Sequence, residues 1–203
     1  MRKVFLSLTT AVTVIVASAC GSDGSEASVL IGMQRDEPLV VADQTISRVD
    51  EAGVETPFTF VAEDGKLLVV YFGFTNCPDL CPTTLADLRS AFRRIPGSTD
   101  KVDVAMVTVD PERDTADRLV PYLSSFVDDP IALRTVDTDV LESVEAAFLA
   151  SSTVTKEATG KVDVSHTAAT YVVDATGTVI VEWPFGIGAD GMENDLRILL
   201  EDL

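Results

Sequence analysis

Two largely apolar segments, an apolar and aromatic run over residues 66–74 and a valine-rich run over residues 102–109, each predict a strand that is buried on both faces of a sheet. Between them, residues 83–95 carry apolar side chains at the spacing of an amphipathic helix. Similar patterns predict further elements toward the carboxyl end. They are helices over 114–126, 140–149 and 192–200, a short strand over 133–136, and a hairpin that joins 170–173 to 178–182.

This alternation of strands and helices predicts one α/β domain in which helices flank a mixed central sheet. We expect the domain to cover residues 37–203, since no second linker follows its start. Asp114, with Asp117 three residues later, is typical of an N-cap and predicts the start of the helix over 114–126.

The first 36 residues follow a different pattern and are predicted to lie outside the domain. Arg2 and Lys3 precede an uncharged segment, residues 4–19, as in a secretory signal peptide. The segment is shorter than the about 20 residues that a spanning helix needs. Its end, Ala17 to Cys20, fits ordinary signal peptidase and also resembles a bacterial lipobox.

We favour the lipobox, because Cys20 directly follows the cleavage point and precedes a Gly-, Ser- and Asp-containing stretch that suits a tether. Lipidation of Cys20 would also leave an even pair of cysteines for other chemistry. Residues 1–19 are therefore predicted to be a lipoprotein signal peptide, and residues 20–36 a lipidated cysteine with a flexible linker. The protein is expected at the outer face of the bacterial plasma membrane, where the lipid would anchor it.

Charge and composition exclude several functional classes. The 203 residues include 33 acidic and 15 basic side chains, for a net charge of −18. Such a chain is unsuited to neutralising the phosphates of a nucleic acid, so no nucleic-acid partner is expected. Three cysteines are too few for a disulfide scaffold, and the single histidine excludes any site that needs two.

Cys77 and Cys81 stand where the first buried strand ends and the next helix begins, at the sheet edge where α/β folds bind ligands. Amide groups at a helix N-terminus stabilise thiolates and lower their pKa. The i, i+4 spacing places both sulfurs on one face, so both can bind one ion. The same spacing is wide for an unstrained disulfide. Metal binding is favoured, while thiol–disulfide exchange and a structural disulfide stay open.

His166 lies in a predicted loop before the strand over 170–173 and can face Cys77 across the sheet edge. Two thiolates and one imidazole form a soft three-ligand set that suits copper. The same set with an open water position also binds zinc. The residue types alone do not separate these two metals.

Three motifs follow one another along the chain: Gly73-Phe74-Thr75 leading into Cys77-Pro78-Asp79-Leu80-Cys81-Pro82, then Val109-Asp110-Pro111-Glu112-Arg113-Asp114-Thr115, then His166. Their order and separations resemble the Sco/SenC family of copper chaperones. The resemblance implies a thioredoxin-like fold, with Cu(I) or Cu(II) held by Cys77, Cys81 and His166. It implies a further role for Asp79, at a position linked to copper handling or partner contact. One departure is Ser165, where many members carry an aspartate.

The resemblance also implies a partner, because family members serve the binuclear copper centre in subunit II of cytochrome c oxidase. They do so by delivering copper or by reducing the cysteines of that subunit. The second activity is that of a thiol–disulfide reductase, whose usual spacing is Cys-x-x-Cys and whose dithiol faces a cis-proline. This chain has one more residue between its cysteines and no proline between Pro130 and Pro184. A peroxiredoxin-like peroxidase would need an arginine near Cys77, and none lies within ten residues. We therefore predict a copper chaperone of an extracytoplasmic cuproprotein rather than an enzyme.

Overall fold

The computed structural model describes residues 29–201 and 203, so the predicted signal peptide and Cys20 lie outside the described residues. The strands are β1 (Thr45–Val49), β2 (Glu55–Thr59), β3 (Leu67–Gly73), β4 (Val102–Thr108), β5 (Ile131–Leu133), β6 (Ser152–Lys156), β7 (Val162–His166), β8 (Ala169–Val173) and β9 (Val179–Pro184). The α-helices are α1 (Leu80–Arg94), α2 (Ala116–Ser124), α3 (Thr138–Ala147) and α4 (Gly188–Glu201). None of the described helices is both long and apolar enough to cross a bilayer.

Seven strands form the main sheet in the order β2-β1-β5-β4-β3-β8-β9, and β6 with β7 forms a separate two-stranded sheet. β3, β4 and β5 are parallel to one another, whereas β8 is antiparallel to β3 and β9 is antiparallel to β8. The order β4-β3-β8-β9, with α1 joining the first two strands in sequence and α4 at the end, is a thioredoxin-like arrangement. The predicted α/β fold with a mixed, helix-flanked sheet is confirmed.

The core lies on both faces of β3, all seven of whose residues are buried. Leu67 and Val69 share a cluster with Leu88 of α1 and Leu196 of α4. The alternating residues of β3 belong to a second cluster, with side chains from α2 and α3. Burial of one such aliphatic side chain contributes about 1.5–3 kcal/mol to the stability of the fold. Strand β3 is therefore a rigid support for the loop and the helix α1 that follow it.

Several predicted elements need correction. The helix predicted over 114–126 begins at Ala116, with Thr115 in the N-cap position, so Asp114 is not its N-cap. The short strand β5 lies two residues earlier than predicted. Strands β1, β2, β6 and β7 were not predicted, because most of their residues are exposed or only partly buried and form no apolar run.

The predicted linker over 20–36 is too long at its carboxyl end, because residues 29–36 are in contact with the domain. The backbone N–H groups of Ile31 and Gly32 each donate to Asp195 of α4, over 2.7 Å. Met33 pairs with Glu182 of β9 as in an antiparallel bridge. The packed chain therefore starts before residue 37. Residues 20–28 of that linker lie outside the described residues.

Candidate metal centre

The two cysteines lie at the junction of β3 and α1. Cys77 is half-buried in the connecting loop, whereas Cys81 is fully buried in the first turn of the helix. The backbone N–H of Cys81 donates to Cys77 Sγ over 3.3 Å, so an amide of the helix N-terminus stabilises that sulfur. Both cysteines are free thiols, and the structural disulfide considered above is absent from the described residues.

Gly73, the last residue of β3, lets the Cys81 sulfur approach the backbone. A Cβ atom at this position would lie 3.1 Å from Cys81 Sγ and 2.6 Å from Cε1 of Tyr71. Both separations are shorter than ordinary van der Waals contacts, so a side chain would displace the sulfur or the ring. The glycine of the first motif is therefore required by this close approach.

His166 reaches the cysteines from the β6–β7 hairpin, where it is the last residue of β7 and pairs with Ser152. Its Nε2 lies 3.8 Å from Cys81 Sγ, and its Nδ1 lies 3.0 Å from the carbonyl oxygen of Thr167. A carbonyl can only accept, so Nδ1 carries the proton and Nε2 presents its lone pair to the sulfurs. Thr167 thus orients the imidazole, and no aspartate is needed at Ser165, which is exposed.

The structure brings together all three residues that the sequence analysis selected as metal ligands. One ligand atom from each of Cys77, Cys81 and His166 lies within 4.8 Å of the other two. Bonds of about 2.3 Å to sulfur and 2.0–2.1 Å to nitrogen, as in zinc sites, would place these atoms at most about 4.6 Å apart. A small closing movement would therefore let the three atoms bind a single soft metal ion.

Burial dominates the electrostatics of this cluster. It raises the pKa of the Cys81 thiol to about 12. The expected lowering of the pKa by the helix N-terminus is therefore wrong for Cys81, because removal from water outweighs it. Burial also lowers the pKa of His166, which keeps its imidazole neutral and available as a ligand. A metal ion would have to displace the Cys81 proton.

The second motif supports the loop before Cys77. The carboxylate of Asp114 is fully buried and accepts from the backbone N–H of Thr75 over 2.9 Å and from its hydroxyl over 2.5 Å. It also accepts from the hydroxyl of Thr108, at the end of β4, over 2.7 Å. Asp114 therefore fixes the strand-to-loop junction, a role that the sequence analysis missed when it assigned this residue to a helix cap.

Asp79 takes no part in the cluster of ligand atoms. It is exposed at the N-cap position of α1, and its carboxylate lies 3.5 Å from the hydroxyl of Thr83. Its place in the loop between the two cysteines puts a negative charge on the outer surface beside the candidate metal centre.

A comparison with known protein families identifies this arrangement. The profile of the SCO1/SenC family matches residues 49–201, which include all three clustered residues. The chain belongs to the SCO1/SenC family. Among curated SCO1/SenC relatives, a protein of Stutzerimonas stutzeri that is named as copper-binding is 30% identical over 149 residues, 73% of this chain and 72% of the relative. The mitochondrial protein SCO1 homolog 1 of Arabidopsis thaliana is 31% identical over 135 residues, 61% of this chain but 40% of that protein.

Solved structures of the family have the same fold. The apo Sco1 protein of Thermus thermophilus superposes with a TM-score of 0.71 at 27% identity, covering 86% of this chain and 99% of that one. ScoI of Bradyrhizobium japonicum, solved with copper bound, gives a TM-score of 0.64 at 27% identity and covers 76% and 96% of the two chains.

Proposed function

We propose that this protein is a copper chaperone whose cargo is held by Cys77, Cys81 and His166. The observation that carries the proposal is the cluster of two sulfurs and a lone-pair nitrogen within 4.8 Å of one another. Support comes from the relative named as copper-binding and from the neighbouring structure solved with copper. The function is binding and transfer, and no catalytic step is assigned.

The donor set suits both oxidation states of copper, but in different ways. Thiolates are soft ligands that prefer Cu(I), which two sulfurs can hold in a linear geometry. Cu(II) prefers more donors and gains from an imidazole nitrogen. Cys77 and Cys81 would therefore bind either ion, and His166 would matter most for Cu(II).

The unequal burial of the sulfurs suggests a direction of transfer. Cys81 has no exposed surface, whereas Cys77 is half-buried at the outer side of the cluster. An incoming thiolate of an acceptor would replace Cys77 first, and Cys81 would release the ion last. Asp79, exposed between them in sequence, is placed to contact the acceptor. The acceptor we propose is the binuclear copper centre in subunit II of cytochrome c oxidase, on the basis of the family resemblance.

The proposal includes a location. A lipid on Cys20, after removal of residues 1–19, would hold the domain at the outer face of the bacterial plasma membrane. The support is the sequence at the cleavage point and its Gly- and Ser-containing continuation. Mass spectrometry of the membrane fraction tests it, since a diacylglyceryl group on Cys20 is expected and an unmodified, released chain would contradict it.

The alternative function, a thiol–disulfide reductase, is not favoured. Such enzymes usually space their two cysteines as Cys-x-x-Cys, whereas three residues separate Cys77 from Cys81. The nearby imidazole has no required role in thiol exchange, yet it is oriented toward the Cys81 sulfur. Reductase activity that survives His166→Ala, in a protein that binds no copper, would favour this alternative.

The direct test is a copper titration of the fully reduced protein, followed by absorption and electron paramagnetic resonance spectra. One equivalent of copper should bind and, in the Cu(II) form, give a thiolate-to-copper charge-transfer band. Cys81→Ser should abolish the band. Cys20→Ser is the matched control, because it removes the third cysteine of the chain and should leave the spectrum unchanged. Binding that is equally strong in Cys81→Ser would contradict the assigned site.

A further inference from the structure

A cavity lies beside the β6–β7 hairpin, and none of the three clustered residues lines it. Its volume is about 570 Å³, and it is bounded by α3, by β6 and by the loop that follows β4. Much of its wall is apolar, with contributions from Val109, Pro111, Val136, Leu141 and Val154. A cavity of this size and lining is within the range of pockets that bind small organic groups.

One carboxylate in this cavity has no partner. Glu145 of α3 lines the wall and is only 5% exposed, and its Oε1 makes no hydrogen bond with any described residue. A buried polar atom without a partner costs free energy, and the cost is larger for a charged group. Native proteins rarely retain such a group unless something outside the chain satisfies it.

The surroundings of Glu145 add negative charge. Glu142 lies one helical turn earlier and also lines the cavity. Glu145 stands in the last turn of α3, at the negative end of the helix dipole, and that turn contains no basic residue. The lysine in the lining, Lys156, forms an ion pair with Glu112 at the exposed rim. No lysine or arginine of the described residues forms an ion pair with Glu145, although its charge partly offsets the lowering of the His166 pKa by burial.

We propose that this cavity binds the guanidinium or amidinium group of an organic cation that is carried on an apolar stem. The charge would pair with Glu145 and Glu142, and the stem would lie against the aliphatic wall. A guanidinium or amidinium group is planar and carries several N–H donors, so it can bond two carboxylates at once. A compact ammonium group does this less well. A guanidinium is also weakly hydrated, so its transfer from water into an apolar cavity costs less hydration free energy. Glu145 belongs to no group of three metal-ligating side chains in the described residues, which disfavours a bare metal ion.

The test uses isothermal titration calorimetry of the whole protein with benzamidine and with benzamide, its neutral analogue of the same shape. Benzamidine should bind at least about tenfold more tightly than benzamide, and Glu145→Gln should remove that preference. Glu201→Gln is the matched control, since Glu201 is exposed at the end of α4 and should leave binding unchanged. A second pair of probes, a peptide with a central arginine and the same peptide with citrulline, shows whether a protein side chain or a free molecule is the better source of the cation.

A second variant keeps the test decisive if Glu145→Gln unfolds. Val136 lines the cavity and is 69% exposed, so Val136→Trp should fill the opening and block both benzamidine and the arginine peptide without touching a carboxylate. The proposal is overturned if neither cation binds at up to about 10 mM, in which case the cavity holds water only. It is also overturned if benzamidine and benzamide bind equally, or if Val136→Trp leaves binding intact.

Discussion

The candidate metal centre joins two regions that are held in very different ways. Cys81 comes from the core, where β3 is buried in every residue, and half-buried Cys77 packs against that core from the loop between β3 and α1. His166 comes from the β6–β7 hairpin, whose residues are exposed or half-buried and whose strands pair only with each other. A two-stranded hairpin is marginally stable by itself. The two sulfurs are therefore fixed, and the imidazole is adjustable.

This difference suggests an order of events at the site. Elements with few buried contacts open at a lower free-energy cost than the core that carries them. The hairpin can move His166 away while the sulfurs keep their places, so the ion would pass through a state held by sulfur alone. The four predictions below test this division, from the largest expected effect to the smallest.

His166→Ala removes the adjustable ligand and should separate the two oxidation states of copper. Cu(II) affinity should fall by more than about 100-fold, beyond the range for loss of a residue that only orients a ligand. Cu(I) affinity should fall by less than about tenfold, because Cys77 and Cys81 still hold the ion. Competition titrations with a chelator for each ion measure both. An equal loss for the two ions would show that the imidazole is as integral to the site as the sulfurs.

Asp114→Ala disrupts the fixed region, because it leaves three donors without an acceptor. These donors are the half-buried backbone N–H and hydroxyl of Thr75 and the buried hydroxyl of Thr108. Each unsatisfied donor costs about 1–3 kcal/mol, so the free energy of unfolding should fall by about 3 kcal/mol in urea titrations. Asp128→Ala, at an exposed aspartate, should change it by less than about 0.5 kcal/mol. Similar values for both variants would mean that Asp114 does not hold the cysteine loop.

Thr167→Val loosens the base of the hairpin. The hydroxyl of Thr167 accepts from the backbone N–H of Ser151 over 3.0 Å, and a bond of this kind contributes about 1 kcal/mol. Amide hydrogen exchange in β6 and β7 should become faster, while exchange in β3 stays the same. Thr153→Val is the control, since Thr153 is exposed and makes no side-chain hydrogen bond with a described residue. Faster exchange throughout the core would contradict a hairpin that opens independently.

Lys156→Gln should have the smallest effect, because it breaks an exposed ion pair between the hairpin and Glu112. The hydrogen bond and charge of Lys156 hold the pKa of Glu112 below its usual range. Their contribution is therefore present above the ordinary glutamate pKa and is lost as the pH falls through the lowered value. At neutral pH, amide hydrogen exchange in β6 and β7 should be faster than in the unaltered protein by less than about threefold. The difference should vanish in acid, where the ion pair is lost.

Lys161→Gln is the matched control for that prediction, since Lys161 pairs with Glu157 inside the hairpin turn and not with the rest of the domain. A difference between the Lys156 variant and the unaltered protein that persists at low pH would assign the effect to packing of the lysine stem instead of its charge.

The difference between the core and the β6–β7 hairpin also explains which elements of the fold could be predicted from the sequence. The strands β3 and β4 and the helix between them carry strong apolar patterns, so their prediction is confirmed, as is the α/β fold. Cys77 and Cys81 follow directly from the junction that these elements create. The hairpin was missed because its strands, Ser-Thr-Val-Thr-Lys and Val-Asp-Val-Ser-His, bury little apolar surface. His166 was selected because it is the single imidazole of the chain, precedes the strand predicted over 170–173, and is the third of the motifs that carry the family resemblance.

Asp114 shows a second limit of pattern analysis. An acidic residue just before a helix is typical of an N-cap, and nothing local distinguishes a carboxylate that caps from one that bonds another loop. Its partners, Thr75 and Thr108, are 39 and 6 residues away. Glu145 is a similar case, since helical spacing alone does not reveal that a carboxylate is enclosed by a neighbouring hairpin.

The contacts of residues 29–32 with α4 limit the length of chain that could tether the domain to a membrane. Asn194 holds the carbonyl of Val29, and Asp195 holds the two backbone N–H groups that follow. If Cys20 carries the proposed lipid, about nine residues separate it from the first of these contacts, and nine residues span at most roughly 30 Å. The predicted linker, extending to residue 36, would have reached roughly 55 Å. The tether would then keep the start of the domain within roughly 30 Å of the bilayer surface. An acceptor would have to present its copper site at a matching height.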